Sequence, residues 1–241
     1  CTGCKGCQFI CPTKAISVIE EANTFVRIID SNKCIECGKC DRICHIGSSI
    51  LQTPVKAYTA ESRCFMYKKH GASGASTIYK YGFDNNYKCI GVAFRNGRLS
   101  YEVLSSIQDI RRVSGSKYVI SHLEDVYSDI NRLIKSKTKI IFIGLPCHCA
   151  AMKKIVGDMN EDIIWIDIVC NGVCSEDELM DDISKYNVNI DEISDMRFRE
   201  KNNQYGITLR DKSDGLIKKI PKNTDEYMQK YEKRENVHEQ G

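Results

Sequence analysis

In the first thirty positions, apolar residues fall in two short runs, 15–19 and 25–29, separated by polar residues around 21–23. That pattern predicts two short strands joined by a turn, and residues 36–42 predict a short helix. From 55 to 220, strand-like apolar runs alternate with helical spacing. Strands are expected over 87–94, 140–144 and 163–169, and helices over 126–136, 150–156 and 179–186. Such alternation predicts a mixed or parallel sheet covered by helices. Residues 193–198, 205–209 and 216–220 then predict an antiparallel meander, with 211–215 as a hairpin turn. The polar segment 221–241 predicts a helix ending in a frayed tail. The expected fold class is therefore α+β / α/β: a small N-terminal module over 1–50, a mixed-sheet α/β domain over 55–187, and a further piece over 188–241.

Composition changes this picture at one point. Of the 14 cysteines in 241 residues, eight lie at positions 1, 4, 7, 11, 34, 37, 40 and 44, which sets the N-terminal module apart. Cys1, Cys4, Cys7 and Cys11 form a C-x2-C-x2-C-x3-C run followed by Pro12, and Cys34, Cys37, Cys40 and Cys44 repeat the spacing 33 residues later. Three thiolates at this spacing on one loop face a single iron-sulfur cube, while the fourth faces the neighbouring cube. The expected ligation is crossed: Cys1, Cys4, Cys7 and Cys44 hold one 4Fe-4S cluster, and Cys34, Cys37, Cys40 and Cys11 hold the second. A zinc site has no use for the third cysteine at this spacing, and disulfides cannot satisfy three thiols on one loop. With its flanking strands and helix, the module resembles a two-cluster bacterial-type ferredoxin over residues 1 to about 50. His45 stands where that family usually has proline, and is expected on the surface or, alternatively, donating a hydrogen bond to sulfur.

Charge and hydropathy narrow the function classes. Net charge is +3, and the excess sits in mixed-sign residues near the C-terminus, which does not suggest a nucleic-acid surface. No run reaches the ~18 apolar residues of a spanning helix, and a secretory leader is not expected. A reducing, cytoplasmic location and a chain that is not membrane-integral are expected.

Three loops in the body carry candidate chemistry. Residues 68–77 form a small-residue loop opening a helix, so that backbone N–H groups at Ser73 and Gly74 could face a phosphate. Gly115, Ser116, Lys117 and Tyr118 offer a cation and a ring beside a permissive backbone. Cys147 and Cys149 follow one expected strand, and Cys170 and Cys174 follow the next, where α/β sheets bind ligands. Cys64 and Cys89 fall outside these motifs and are expected as buried small hydrophobes.

Taken in order, these residues resemble the beta subunits of coenzyme F420 hydrogenases and dehydrogenases, a family of iron-sulfur flavoproteins. The resemblance rests on the two cysteine runs, then Ser73-Gly74-Ala75, Gly115 to Tyr118, Leu145-Pro146-Cys147-His148, Cys170-Asn171-Gly172 and Phe198-Arg199-Glu200-Lys201. Leu145, His148 and Asn171 depart from the family's usual threonine, glutamine and histidine, and Cys149 and Cys174 are extra thiols. The family usually continues past this point, and the chain begins inside a ligand run, so it reads as truncated at both ends, with 188–241 the start of an incomplete C-terminal domain.

The resemblance implies part of an oxidoreductase that passes electrons between a hydride carrier, coenzyme F420 or similar, and a partner redox protein or subunit through FAD and 4Fe-4S clusters. It makes Ser73, Gly74, Gly115, Ser116, Lys117 and Tyr118 the FAD-binding candidates. Cys147, Cys149, Cys170 and Cys174 are candidates for a further redox site or a third 4Fe-4S cluster, with buried thiols as the alternative. The alternative for the whole chain is a non-catalytic ferredoxin-type electron-transfer module.

Overall fold

The structure is a computed structural model that describes residues 1–21, 24–46, 73–95, 97–157, 161–200 and 204–235. The expectations for the 22–23 turn, Cys64, the start of the 68–77 loop, Lys201 and the end of the tail lie outside the described residues.

The N-terminal module holds helix α1 (Gly6–Ile10), strands β1 (Ile16–Glu21) and β2 (Thr24–Ile29), and helix α2 (Lys39–Ile43). The strands pair antiparallel, from Ile16 opposite Ile29 to Glu21 opposite Thr24. The duplication is written into the backbone as well as the sequence. Gly3 and Glu36 take left-handed φ values of 67° and 51°, and Lys5 and Gly38 do the same at 55° and 66°. Each of these pairs is offset by the 33-residue repeat. Lys5 and Gly38 are the N-caps of α1 and α2, and extended Cys11 and Cys44 are their C-caps. One run uses glycine at the first left-handed position and the other at the second; Glu36 and Lys5 accept the strained conformation that turns each loop around its thiols.

The body continues with α3 (Ser73–Asp84), β3 (Lys88–Arg95), β4 (Arg98–Val103), α4 (Ile110–Val113), α5 (Tyr127–Lys135), β5 (Ile140–Gly144), α6 (Pro146–Val156), β6 (Ile163–Asp167) and α7 (Glu176–Ser184). Its sheet has the order β4-β3-β5-β6, with β3, β5 and β6 parallel and β4 antiparallel on β3. Every residue of β5 is buried, as its unbroken Ile-Ile-Phe-Ile run requires of a central parallel strand. Alternate side chains feed two cores. Ile141 and Ile143 pack with Tyr79 of α3 and Ile110 of α4. Ile140 and Phe142 pack with Tyr127 and Ile130 of α5 and Met152 of α6.

Three expectations need correction here. The helix expected to start at Ala150 starts at Pro146, whose missing N–H is tolerated at the first helical position. Cys147, His148 and Cys149 therefore lie on the first turn of α6, not on a loop. The strand expected through Val169 ends at Asp167, and Val169 is 95% exposed. Strand β4 has no counterpart among the strands expected from the sequence.

The chain ends with β7 (Asp195–Glu200), β8 (Gln204–Arg210), β9 (Leu216–Pro221) and α8 (Glu226–Lys233). The three strands form an antiparallel meander in sequence order. In the 211–215 turn, the Asp211 carboxylate accepts hydrogen bonds from the backbone N–H groups of Ser213 and Gly215, at 2.8 Å each. A single core joins Met196, Phe198, Ile207 and Leu209 of this sheet to Phe94, Leu99, Leu179 and Ile183 of the body, so packing crosses the 187/188 boundary. Among the described residues no helix is long and apolar enough to cross a membrane.

Candidate functional site

The eight N-terminal cysteines line two cavities. One, of about 350 Å³, is bordered by Cys1, Cys4, Cys7 and Cys44, with Arg27, Asp41 and His45 among the other lining residues. The second, of about 260 Å³, is bordered by Cys11, Cys34, Cys37 and Cys40. Each cavity takes three thiols from one run and one from the other, because the extended C-caps Cys11 and Cys44 carry the chain across the pseudo-symmetric pair of loops. Burial is the main cause raising the Cys4 and Cys7 thiols, with smaller contributions from neighbouring thiols. Cys11 is lowered, chiefly by the backbone N–H of Ala15 at 3.3 Å. Thiols crowded in this way repel as thiolates, and a bound cationic group offsets that repulsion. Among the described residues no three His, Cys, Asp or Glu side chains lie close enough together to hold a single metal ion. Four thiols around a cavity are instead the donor set that an iron-sulfur cluster takes.

His45 is buried rather than on the surface. It is only 9% exposed, with its Nε2 3.3 Å from the Thr2 hydroxyl. Burial lowers its basicity and favours the neutral ring. The Arg27 guanidinium donates to Asp41 at 2.8 Å between the strands and α2.

The module rests on helices α5 and α6. The Tyr127 hydroxyl donates to the carbonyl of Cys4, the rings of Phe9 and Tyr127 lie 5.0 Å apart, and Ala151 of α6 closes one side of the first cavity. The first turn of α6 brings Cys147 into this neighbourhood. Its thiol is pushed up to about 12 by burial first, and then by the nearby charges that Cys170 and Cys4 would carry. Cys149 and Cys174 do not join that pair. Cys149 packs in the core beneath α6 and Cys174 in the core of the C-terminal sheet. Next to Cys147, His148 is buried with its Nδ1 2.9 Å from the Tyr101 hydroxyl, and burial holds its pKa down to about 4.

The segments that carry the two remaining sequence candidates are joined by one hydrogen bond between neighbouring residues. Ser73 and Gly74 open α3 rather than preceding it, and the hydroxyl of Ser76 lies 2.8 Å from that of Ser114. This bond joins the start of α3 to the turn at Gly115, where φ is 86°. Lys117 is turned inward. Its ammonium donates to the Ser114 carbonyl at 2.9 Å, and burial lowers its pKa to about 8 against the opposing pull of Asp195. Asp195 itself pairs with Arg197 at 2.6 Å, both side chains almost wholly buried. Tyr118 stacks on Tyr231 at 4.6 Å and meets the edge of Phe198 at 5.9 Å.

One cluster escaped the sequence reading. Lys5 reaches Glu124 at 2.6 Å, His122 lies between Glu124 and Glu176 at 3.0 and 2.8 Å, and a cavity of about 140 Å³ opens beside them. Hydrogen bonds donated to the two carboxylates raise His122 to about 9, while His122 and Lys5 draw Glu124 down to about 2 against the effect of burial.

Residues 137–235 match the family described as the C terminus of the coenzyme F420 hydrogenase/dehydrogenase beta subunit. The chain is 24% identical over 219 residues to a subunit of the F(420)H(2) dehydrogenase of Methanosarcina mazei, an alignment covering 82% of this chain and 61% of that protein. It thus spans about three fifths of the length of that curated relative. A chain of the F420-reducing [NiFe] hydrogenase complex from Methanosarcina barkeri superposes with a TM-score of 0.46 at 14% identity, over 67% of this chain and 58% of the other. Residues 137–235 are thus similar to the C terminus of the coenzyme F420 hydrogenase/dehydrogenase beta subunit.

Proposed function

We propose that this chain is part of an oxidoreductase and carries electrons between a hydride carrier and a partner redox protein, with two 4Fe-4S clusters in the cysteine cavities and FAD where α3 meets the 115–118 turn. The observation that carries this reading is the crossed lining of the two cavities, four thiols to each. Cys1, Cys4, Cys7 and Cys44 hold one cluster and Cys11, Cys34, Cys37 and Cys40 the other, as in a two-cluster ferredoxin. When bound, a flavin takes up two electrons as hydride and iron-sulfur clusters pass them on singly.

The protein's own residues place and separate these sites. Tyr127 and Phe9 seat the first run on the body. Ser73 and Gly74 offer backbone N–H groups at the positive end of α3 to a phosphate, and the Ser76–Ser114 bond fixes that helix start against Gly115. Lys117 serves as a positioning residue, holding the turn through the Ser114 carbonyl. Cys147 and Cys170, beside Cys4, form a further redox site without Cys149 or Cys174. Coenzyme F420 as the hydride carrier, and another polypeptide of the same complex as the partner, come from the names of the relatives.

A second reading, an electron-transfer module without a flavin, draws on the inward engagement of Lys117 and Tyr118. Absorbance of anaerobically purified protein separates the two. Flavin bands are expected in the parent chain and are lost in Gly74→Leu, with iron content unchanged. A parent chain that binds iron and no flavin overturns the FAD assignment in favour of the second reading.

A further inference from the structure

The junction between the cysteine module and the body is closed by four charged side chains from distant parts of the sequence. Lys5 stands between Cys4 and Cys7 and lines the first cavity. Its ammonium leaves the cysteine loop to donate to Glu124 Oε1 at 2.6 Å. The same oxygen lies 3.0 Å from His122 Nδ1, and His122 Nε2 lies 2.8 Å from Glu176 Oε2. The other oxygen of Glu176 accepts the backbone N–H of Leu99, on β4, at 2.9 Å. All four side chains are 18–22% exposed, so water screens them weakly. Glu20 of β1 and Asp177 of α7 face the same small cavity.

With the imidazole protonated, the four groups carry two positive and two negative charges. The arrangement is balanced, and Lys5 is the member that lines the first cavity. We propose that Lys5, Glu124, His122 and Glu176 form a positioning device that seats the first cysteine loop on the body and fixes the net charge felt at its cavity. The inference rests on the assignment of a cluster to Cys1, Cys4, Cys7 and Cys44, whose cavity Lys5 lines, and it makes these four residues determinants of that cluster's reduction potential more than of the other's, whose ligand Cys11 shares a neighbouring cavity with Lys5 and Glu124. Net charge and outer-shell contacts set such potentials. Glu124→Gln keeps an oxygen for Lys5 but leaves an uncompensated positive charge, which favours the electron-rich state. Lys5→Gln leaves an uncompensated carboxylate and disfavours it.

The test is a redox titration of the anaerobically purified full chain, followed by electron paramagnetic resonance, with iron content measured on every variant. The expected result is a larger shift of one centre than of the other, upward in Glu124→Gln and downward in Lys5→Gln. Each should change the reduced-to-oxidised ratio at a fixed potential by about tenfold, or about 59 mV for one electron. Iron content should stay at the parent level. Clusters that form normally but keep both midpoints in both variants, or that move together by the same amount, overturn the inference while leaving the cluster assignment standing. A parent chain that binds no iron overturns the assignment and the inference with it.

Discussion

His122 holds its proton between two carboxylates, and that single imidazole ties the module junction to pH. Its pKa is raised from 6.5 to about 9, so its contribution to stability is complete below about 6.5 and is lost as pH rises through about 9. Glu124 behaves in the opposite sense: held near 2, it stabilises fully above its ordinary range near 4.5 and loses that contribution as pH falls through about 2. Urea unfolding of His122→Gln against the parent should show the variant less stable below about pH 6.5, with the gap narrowing between about pH 6.5 and pH 9. A gap that stays constant across that interval contradicts the charged pairing. None of this is legible in the sequence, because Lys5 and Glu124 are 119 residues apart and His122 and Glu176 are 54 apart. Ligand spacing is a local property; long-range ion pairs leave no spacing to read. The burial of His45 is hidden for the same reason, since Thr2 meets it only after the two runs fold together.

At the scale of elements, the strands and helices that alternate between apolar and polar positions are legible, and those with unusual ends are not. Strand β5 and the meander follow from their apolar runs and the Asp211 turn. The start of α6 escapes notice although Pro146 marks it, because Leu145-Pro146-Cys147-His148 reads as a loop when weighed for its chemistry. Strand β4 escapes it too, although Asn96-Gly97 is a hairpin signal and Leu99 and Tyr101 alternate with half-exposed neighbours along its length. Gly206 offers a test of the meander. It has a φ of 148°, and a Cβ there would stand 2.4 Å from the carbonyl oxygen of Ile220, on the paired strand β9. The contact is with backbone, so side-chain repacking cannot relieve it. Gly206→Ala should destabilise the chain by about 1–3 kcal/mol, measured by urea unfolding. A change of less than about 0.5 kcal/mol would mean that β8 and β9 do not approach as described.

For the whole molecule, the crossing of the cysteine sets is legible because it follows from a local duplicated spacing. The docking of the module on α5 and α6 is not, since it depends on Tyr127, Phe9 and Ala151, which belong to no motif. The placement of the flavin candidates is legible in part. The start of α3 does meet the turn through Ser76 and Ser114, but Lys117 turns inward to the Ser114 carbonyl, within the field of Asp195 in the distant C-terminal sheet. In the proposed ligation each cavity takes its fourth ligand from the other run. Its most direct test is the iron content and electron paramagnetic resonance spectrum of anaerobically purified Cys44→Ala, compared with Cys4→Ala and Cys40→Ala. The parent should bind about eight irons in these two sites. Cys44→Ala should lose about four of them and leave the same residual spectrum as Cys4→Ala. A spectrum matching Cys40→Ala would place Cys44 with its own run and contradict the account.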